Sequence, residues 1–569
     1  MANKDTKKTK KEKEQKSAEK LNLAQCSNAA CGAGSGKERK LTGEKIKVTI
    51  NDKELEVDKG LTILEAARKH NIHIPSLCYH EDLCVAGICR VCVVEIEGER
   101  TLKTACTYVV DRPIKIKTSS EKVRKARKFV LELMLANHFG ECYSCFRNLN
   151  CELQKLAQEY GIDQLRFGHV TTPRYKVDKS SYAVVRDKDK CILCKRCIRT
   201  CVDLQEVGVL EAANRGIDTK VQTFFDKPLA EVVCINCGQC INRCPTSALR
   251  ANDPTEQVWE AIDDPNKIVI IQTAPSPRAA IGELFGLPAG TSVTKKLNTA
   301  LRMLGFDKVF DTNFTADLTI MEEGTEFLTR VKEVLVNKNK KVKLPMFTSC
   351  CPGWVKYAEH FYPEILDNLS TCKSPQQMFG AILKTYYAEK TGVDPAKIVT
   401  VALMPCSAKK FECNRPEMKS SGYKDVDYGL TTRELAQMIK EAGINLPELT
   451  ESDFDHPLGL GSGAGLIFGA TGGVMEAALR TVYEIVTGRE VPFKNLDIMP
   501  VRGMEWIREA VIKFEKVKPE YKFLEGAEVK IAVAHGTANA KKIVDEILAG
   551  RGFWHFIEIM ACPGGCLGG

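Results

Sequence analysis

The sequence predicts a multidomain α+β protein, with several small cysteine-bearing domains followed by one large α/β domain. Three observations lead there. The chain has 569 residues, too many for one hydrophobic core and enough for about three to five domains. Its 25 cysteines fall into tight groups separated by cysteine-free stretches. Beyond Asp253, strand-like runs (KIVIIQTA, AKIVTVALM, EVKIAVAHG) alternate with helical ones (KSPQQMFGAILKTYYAEKTG, VMEAALRTVYEIVTG), the pattern of a layered α/β domain over 254–569.

Residues 1–43 read as a basic flexible tail. The opening MANKDTKKTKKEKEQKSAEK holds eight lysines, four acids and no apolar run, so neither a secretory signal nor a twin-arginine leader is expected. A Gly/Ser-rich stretch, CGAGSGKERK, follows. The net charge of +9 owes much to this tail and the remainder is near balance, so no nucleic-acid-binding surface is indicated. No apolar run is long enough for a membrane span. A cytoplasmic location is expected, and in a reducing compartment grouped cysteines hold metal more often than they form disulfides.

Residues 44–120 begin with IKVTINDKELEVDKG, which alternates apolar and polar residues around Asn51-Asp52, a hairpin signature. LTILEAARKHN then has helical spacing with Thr62 near its start. The cysteine group that follows offers five thiols for four positions. Cys84-x4-Cys89-x2-Cys92 fits the plant-type [2Fe–2S] spacing. Cys78, Cys89, Cys92 and Cys106 instead resemble the β-grasp ferredoxin domain in the electron-input subunit of respiratory complex I. The second set is favoured, with Cys84 as a bystander; either gives one [2Fe–2S] cluster.

Residues 121–180 open with a helical pattern, EKVRKARKFVLELMLANHFG, that runs into His138, Cys142, Cys145 and Cys151. Three cysteines leave a cubane one ligand short. A histidine at the helix end, one turn before the first cysteine, can complete a His-ligated [4Fe–4S] site, and the complex I resemblance supports it. Imidazole is neutral where thiolate is anionic, so the potential of this cluster should differ from its neighbours'.

Residues 181–253 carry two similar halves. Cys191, Cys194, Cys197 and Cys201 repeat as Cys234, Cys237, Cys240 and Cys244, each run spaced C-x2-C-x2-C-x3-C and the second followed by Pro245. In two-cluster bacterial ferredoxins the fourth cysteine of each run ligates the other cluster. Cys191, Cys194, Cys197 and Cys244 are thus expected on one [4Fe–4S] cluster, and Cys234, Cys237, Cys240 and Cys201 on the second. Two zinc sites would not need this crossed fourth ligand.

The α/β domain holds three distant motifs: TSCCPGW with Cys350 and Cys351, MPCSAKKFE with Cys406 and Lys409, and EIMACPGGC with Cys562 and Cys566. Loops at strand ends can gather such residues. By themselves they indicate a fifth iron–sulfur site with an extra thiol. Taken with the four upstream groups, they resemble the H-cluster signatures of the [FeFe]-hydrogenases over about residues 44–566. The resemblance implies the reaction 2H⁺ + 2e⁻ ⇌ H₂. It also implies an H-cluster: a [4Fe–4S] cubane joined to a di-iron unit with CO, cyanide and azadithiolate, beside one [2Fe–2S] and three accessory [4Fe–4S] clusters. Carried over by motif, Cys351, Cys406, Cys562 and Cys566 bind the cubane and Cys350 is the proton donor. Lys409 and Ser276 lie at the two cyanides, and Met404, Met560 and Phe468 form an apolar wall. The implied proton path is Cys350, Glu323, Ser370, Glu326 and Arg330; without the resemblance, MEEGTEFLTR would read as a solvated helix face.

The resemblance further implies electron exchange with ferredoxin, with flavin- and NAD(P)-binding partner subunits of a complex that can be electron-bifurcating, or with both; the complex is favoured over a monomer. A non-catalytic H₂ sensor or iron–sulfur assembly factor would be expected to lose Cys350 or the Lys409 and Glu323 set, and all are present. Similar proteins continue past the Cys-Leu-Gly-Gly segment, so a further covering segment or partner is expected there. Gly459-Leu460-Gly461-Ser462-Gly463-Ala464 loosely meets a dinucleotide fingerprint, but no strand precedes it; close backbone approach explains those glycines better. Cys372 and Cys413 read as buried hydrophobes, and Cys26 and Cys31 have no reading.

Overall fold

The computed structural model describes residues 43–491, 499–501 and 504–569; the tail reading and Cys26 and Cys31 lie outside these. The N-terminal hairpin pairs Lys45–Ile50 with Lys53–Asp58 in antiparallel register. Its turn residues Asn51 and Asp52 have φ of 48° and 65°, as a tight two-residue hairpin loop requires. Lys45–Ile50 also runs parallel to Lys115–Lys117, which continues the sheet through Val93–Ile96 to Lys103–Thr104. Thr62 caps the helix Ile63–Lys69 through a reciprocal pair with Glu65. That helix buries Ile63, Leu64 and Ala67 against Ile46, Val48 and Ile50 of the sheet. The cysteine loop follows this packed unit.

Ser120 caps the helix Glu121–Ala136, which ends just before His138. A second helix, Glu152–Glu159, follows Cys151. In the next segment Val184–Arg186 pairs with Leu249–Ala251 and closes the two cysteine runs between them. The repeat is visible in the backbone: Leu193 and Asn236 both have positive φ, as do Lys195 and Gly238, which start the short helices Arg196–Arg199 and Gln239–Asn242. Each run thus turns into a short helix after a left-handed residue.

The large domain contains two sheets. In one, Lys308–Asp311, Ile268–Thr273, Ile398–Met404 and Tyr428–Thr431 lie side by side, all parallel. In the other, Met346–Phe347, Phe556–Met560 and Glu528–His535 are parallel, and Met504–Lys513 and Met499–Val501 extend it antiparallel. The central strands are apolar on both faces, as covered parallel strands are. The helices Thr312–Leu335 and Gly473–Thr487 pack against each other. The cysteine motifs follow the carboxyl ends of Met346–Phe347, Ile398–Met404 and Phe556–Met560, where ligands sit in α/β sheets. No helix among the described residues is long and apolar enough to cross a membrane.

Candidate metal centres and active site

The first cysteine group closes on four of its five members. Cys78 Sγ accepts from the Cys89 N–H at 3.5 Å and contacts the Cys89 and Cys106 side chains. The Cys92 and Cys106 sulfurs are 3.4 Å apart. Cys84 points elsewhere and donates to Asp203 Oδ2 at 3.1 Å. Four buried thiols in mutual contact suit a small iron–sulfur cluster, since thiolates are its ligands.

His138, Cys142, Cys145 and Cys151 line one small cavity. His138 Nδ1 is buried without a hydrogen-bond partner. Burial first, and then the nearby Lys190 charge, push its pKa down to about 4, so the ring is neutral, the form that ligates metal. A neutral ring with an orphaned nitrogen, lining one cavity with three thiols, fits a fourth ligand to iron.

Cys191, Cys194, Cys197 and Cys244 line another cavity. Cys237 and Cys240 both have Cys201 and Cys234 among their neighbours. The fourth thiol of each run therefore faces the other run's first three. The cause is the packing of helix Arg196–Arg199 against Gln239–Asn242, which carries the end of each run across to its counterpart.

Between the two large sheets lies a cavity of about 100 Å³. Cys350, Cys351, Cys406, Cys562, Cys566 and Lys409 reach it, as do Ser276, Met404, Met560 and Phe468. Cys351 precedes Pro352 at the start of helix Pro352–Phe361, whose N-terminal dipole favours an anion, and its Sγ accepts from the Ala561 N–H at 3.3 Å. Cys406 and Cys562 hydrogen-bond through their side chains. Gly564 and Gly565 turn the last loop at φ of 78° and 90°, and a Cβ on Gly565 would stand 2.7 Å from the Thr471 nitrogen. The donor set fits an H-cluster: there are enough thiols for a cubane with one to spare, and the remaining space has an apolar wall.

Lys409 Nζ donates to the Cys350 carbonyl and to Glu412 Oε2, each at 2.9 Å. An ammonium has three N–H donors, so one remains for a ligand in the cavity. Glu412, three residues on, also accepts from the Ser374 hydroxyl at 2.9 Å and the Gln376 amide at 3.2 Å. Sequence reasoning missed this anchor, although its spacing from Lys409 is that of helix neighbours.

The acids of helix Thr312–Leu335 lead away from Cys350. Glu323 is 1% exposed, and neither of its carboxylate oxygens has a hydrogen-bond partner. Burial raises its pKa to about 7, against the weaker opposing pull of the nearby Ser370 hydroxyl and Ser349 backbone. Ser370 Oγ donates to Glu326 Oε2 at 3.1 Å, and Arg330 pairs with Glu326 Oε1 at 2.6 Å. Arg330 is itself fixed by the carbonyls of Asp367 and Leu369 at 3.1 and 2.8 Å. Cys372 departs from its reading as a buried hydrophobe: it is half-buried and its thiol donates to Glu326 Oε2 at 3.6 Å, because its loop follows Ser370 along the acidic helix. Cys413 is buried among Ala274, Ala402, Met404 and Val426.

A second buried acid went unread. Glu558, fully buried, accepts from the Gly472 and Met475 N–H groups, each at 2.7 Å. Burial outweighs those donors and lifts its pKa to about 7. The signal was an acid in the otherwise apolar strand FIEIM. The glycine reading holds only in part: Gly459 packs on Asp455 and Phe454 and Gly461 on Asn313 of helix Thr312–Leu335, whereas a Cβ on Gly463 would meet open space, and none of the three lines the cavity between the large sheets.

Comparison with known proteins matches four stretches of the chain to families. Residues 267–569 match the iron only hydrogenase large subunit, C-terminal domain. Upstream, 43–121 match a 2Fe-2S iron-sulfur cluster binding domain and 127–166 the NADH-ubiquinone oxidoreductase-G iron-sulfur binding region. Residues 182–250 match the ferredoxin-like domain of NADH-quinone oxidoreductase subunit 3. The chain is 49% identical over 527 residues to the NADP-reducing hydrogenase subunit HndD of Solidesulfovibrio fructosivorans, covering 92% of this chain and 88% of that one. Iron hydrogenase 1 of Clostridium pasteurianum is 41% identical with the same coverage. The solved [FeFe]-hydrogenase HydA1 from Chlamydomonas reinhardtii aligns with a TM-score of 0.51 and 43% identity, over 56% of this chain and 84% of that one. With a family match across more than half its length and relatives that follow it almost from end to end, this chain belongs to the iron-only, or [FeFe], hydrogenases.

Proposed function

We propose that the protein interconverts protons, electrons and H₂ at an H-cluster held by Cys351, Cys406, Cys562 and Cys566. The observation that carries this reading is the meeting of five thiols from three loops in one cavity, with a buried, unpartnered carboxylate close by. When bound, the H-cluster supplies the iron centre at which electrons and protons combine. The remaining chemistry belongs to the chain. Cys350, the thiol left over, would hold the proton at the edge of that site. Glu323, with a pKa of about 7, is available in both protonation states near neutrality, as an efficient proton carrier must be. Ser370 links it to Glu326, and Arg330 keeps Glu326 oriented. The third N–H of Lys409 and the Ser276 hydroxyl serve the two cyanides, while Met404, Met560 and Phe468 exclude water.

Upstream, the [2Fe–2S] ligands are Cys78, Cys89, Cys92 and Cys106. The three [4Fe–4S] sites are His138 with Cys142, Cys145 and Cys151, and the two crossed sets of the ferredoxin-like repeat. Electrons enter through them from a flavin- and NAD(P)-binding partner. The complex I-like matches of these domains and the NADP-reducing name of a relative that matches along most of its length support that direction over a ferredoxin-only enzyme.

Infrared spectroscopy of the matured protein tests the catalytic assignment. Terminal CO and cyanide bands with H₂ turnover are expected, and a protein loaded with all its cubanes but lacking those bands would sink it. Purification under anaerobic conditions tests the partner: a co-purifying flavoprotein and NAD(P)H-dependent H₂ evolution are expected, whereas full activity of the isolated chain with reduced ferredoxin alone points to the monomer.

A further inference from the structure

Three arginines join the [2Fe–2S] loop to the ferredoxin-like repeat, and two of them have carboxylate partners. Arg196 pairs with Glu152 at 2.7 Å, and Arg243 pairs with Asp82 at 2.7 Å. Arg199 is different. Its guanidinium, 8% exposed, donates to the Cys78 carbonyl at 2.5 Å, to the Cys84 carbonyl, and to the Lys195 carbonyl at 3.3 Å. It forms no ion pair among the described residues. Asp203, one helical turn further on, accepts from the Cys84 thiol instead.

An arginine stays charged in proteins, and a charge taken out of water without a counter-charge is strongly disfavoured. Backbone carbonyls supply dipoles but no net charge. What the surroundings do contain is thiols: Arg199 holds the backbone of Cys78 and lies between Cys197 and Cys201 in sequence. Ligated to iron, those thiolates are anionic. The missing counter-charge is therefore the net negative charge of the thiolate-ligated cluster.

We propose that Arg199 is a positioning residue that supplies the counter-charge of the [2Fe–2S] cluster and raises the potential at which that cluster takes up an electron. This rests on the ligand set proposed above. Reduction adds one electron and hence one negative charge to the cluster, and a fixed cation beside it favours the reduced form. The two hydrogen bonds to the Cys78 and Cys84 carbonyls also hold this loop against the helix bearing Cys197, which sets the step from the [2Fe–2S] cluster to the next one. The guanidinium thus acts on both the driving force and the geometry of one transfer.

The test is a redox titration of the matured full chain, followed by electron paramagnetic resonance at temperatures where the [2Fe–2S] signal persists and those of the cubanes broaden. In Arg199→Gln the signal should still integrate to one cluster. Its reduced-to-oxidised ratio at a fixed potential should fall at least tenfold, a shift of 59 mV for one electron. Arg199→Lys, which keeps the charge, should recover most of that shift. A Gln variant with full signal and unchanged ratio overturns the proposal. If Arg199→Gln is recovered without the cluster, Arg199→Lys decides: a wild-type ratio supports the counter-charge, and a tenfold fall despite the retained charge overturns it. Failure of the underlying ligand assignment is distinguishable, because Cys78→Ser would then keep the [2Fe–2S] signal and Cys84→Ser would lose it.

Discussion

Gly238 and Ser407 meet so closely that a Cβ on Gly238 would fall 2.1 Å from the Ser407 hydroxyl oxygen. Each follows a cysteine, Cys237 of the ferredoxin-like repeat and Cys406 of the catalytic cavity. Nearby, a Cβ on Gly353 would stand 3.6 Å from Cys237 Cβ and 3.0 Å from that of Ala561. The last relay site is therefore packed directly on two of the three loops that build the active site. Only a residue without a side chain permits that approach, and Gly238 also sits at φ of 72°.

Gly238→Ala is accordingly expected to cost about 1–2 kcal/mol for the left-handed backbone, with a further overpacking penalty of about 1–3 kcal/mol. Adding Ser407→Gly should remove the overpacking part and leave the backbone part. Denaturant unfolding of the single and double variants measures both. Equal losses with and without Ser407→Gly would mean that the two domains do not press on each other there.

Glu323→Gln should retain the clusters and lower H₂ turnover by about 10²–10⁴-fold, the usual span for a lost proton-transfer group. It should also change the pH dependence of stability. Burial lifts the Glu323 pKa from 4.5 to about 7, so between those values the folded chain holds a proton that the unfolded chain has released. Wild-type stability therefore falls as pH rises from about 4.5 to about 7, by about 3 kcal/mol for this group. The Gln variant should lack that share of the slope. Thermal unfolding at pH 5 and pH 7.5 gives the comparison, and an unchanged slope together with unchanged turnover would remove Glu323 from the path.

Much of this was legible in the chain itself, for physical reasons that vary by site. The Asn51-Asp52 turn and the Thr62–Glu65 cap are local chemistry, and both formed where the residues call for them. The cysteine repeat was legible because a cubane fixes ligand spacing within a few residues. The gathering of Cys350, Cys406 and Cys562 required the family resemblance, since residues 56 and 156 positions apart in the chain carry no spacing signal. Cys84 and Cys372 show the limit on the other side. Their thiols bond to Asp203 and Glu326, acids on distant elements, and no local pattern announces a tertiary neighbour.

Lys409 and Glu412 form a buried pair at 2.9 Å, with side-chain exposures of 13% and 4%. Removing one member strands the other. Lys409→Met should therefore destabilise the chain by about 3–5 kcal/mol as well as exposing the cavity ligand to a missing donor. Glu412→Gln keeps an acceptor for the ammonium and should cost less. Unfolding measured before iron insertion separates the structural loss from any effect on the cluster. If Lys409→Met leaves apoprotein stability intact, the pair carries no folding energy and Lys409 serves the ligand alone.

Glu558 makes the same argument for the opposite wall. Its two oxygens receive the Gly472 and Met475 N–H groups at the start of helix Gly473–Thr487, donors that would otherwise be buried unpaired. Just ahead of that helix lies Phe468, which reaches the cavity, so the strand carrying Met560 and the segment carrying Phe468 are tied together through one carboxyl. Glu558→Gln leaves an acceptor for only one of the two N–H groups and turns an amide donor toward the other. The expected cost is about 1–3 kcal/mol at pH 5. The raised pKa of about 7 fixes how that cost varies. From pH 5 toward 7 the folded wild type holds a proton that the unfolded chain has released, so it loses stability, whereas the Gln variant has no such proton, and the gap between them should narrow. Thermal unfolding across that range measures it, and a gap that widened with pH would show that the carboxylate, not the carboxylic acid, is the form that holds the helix.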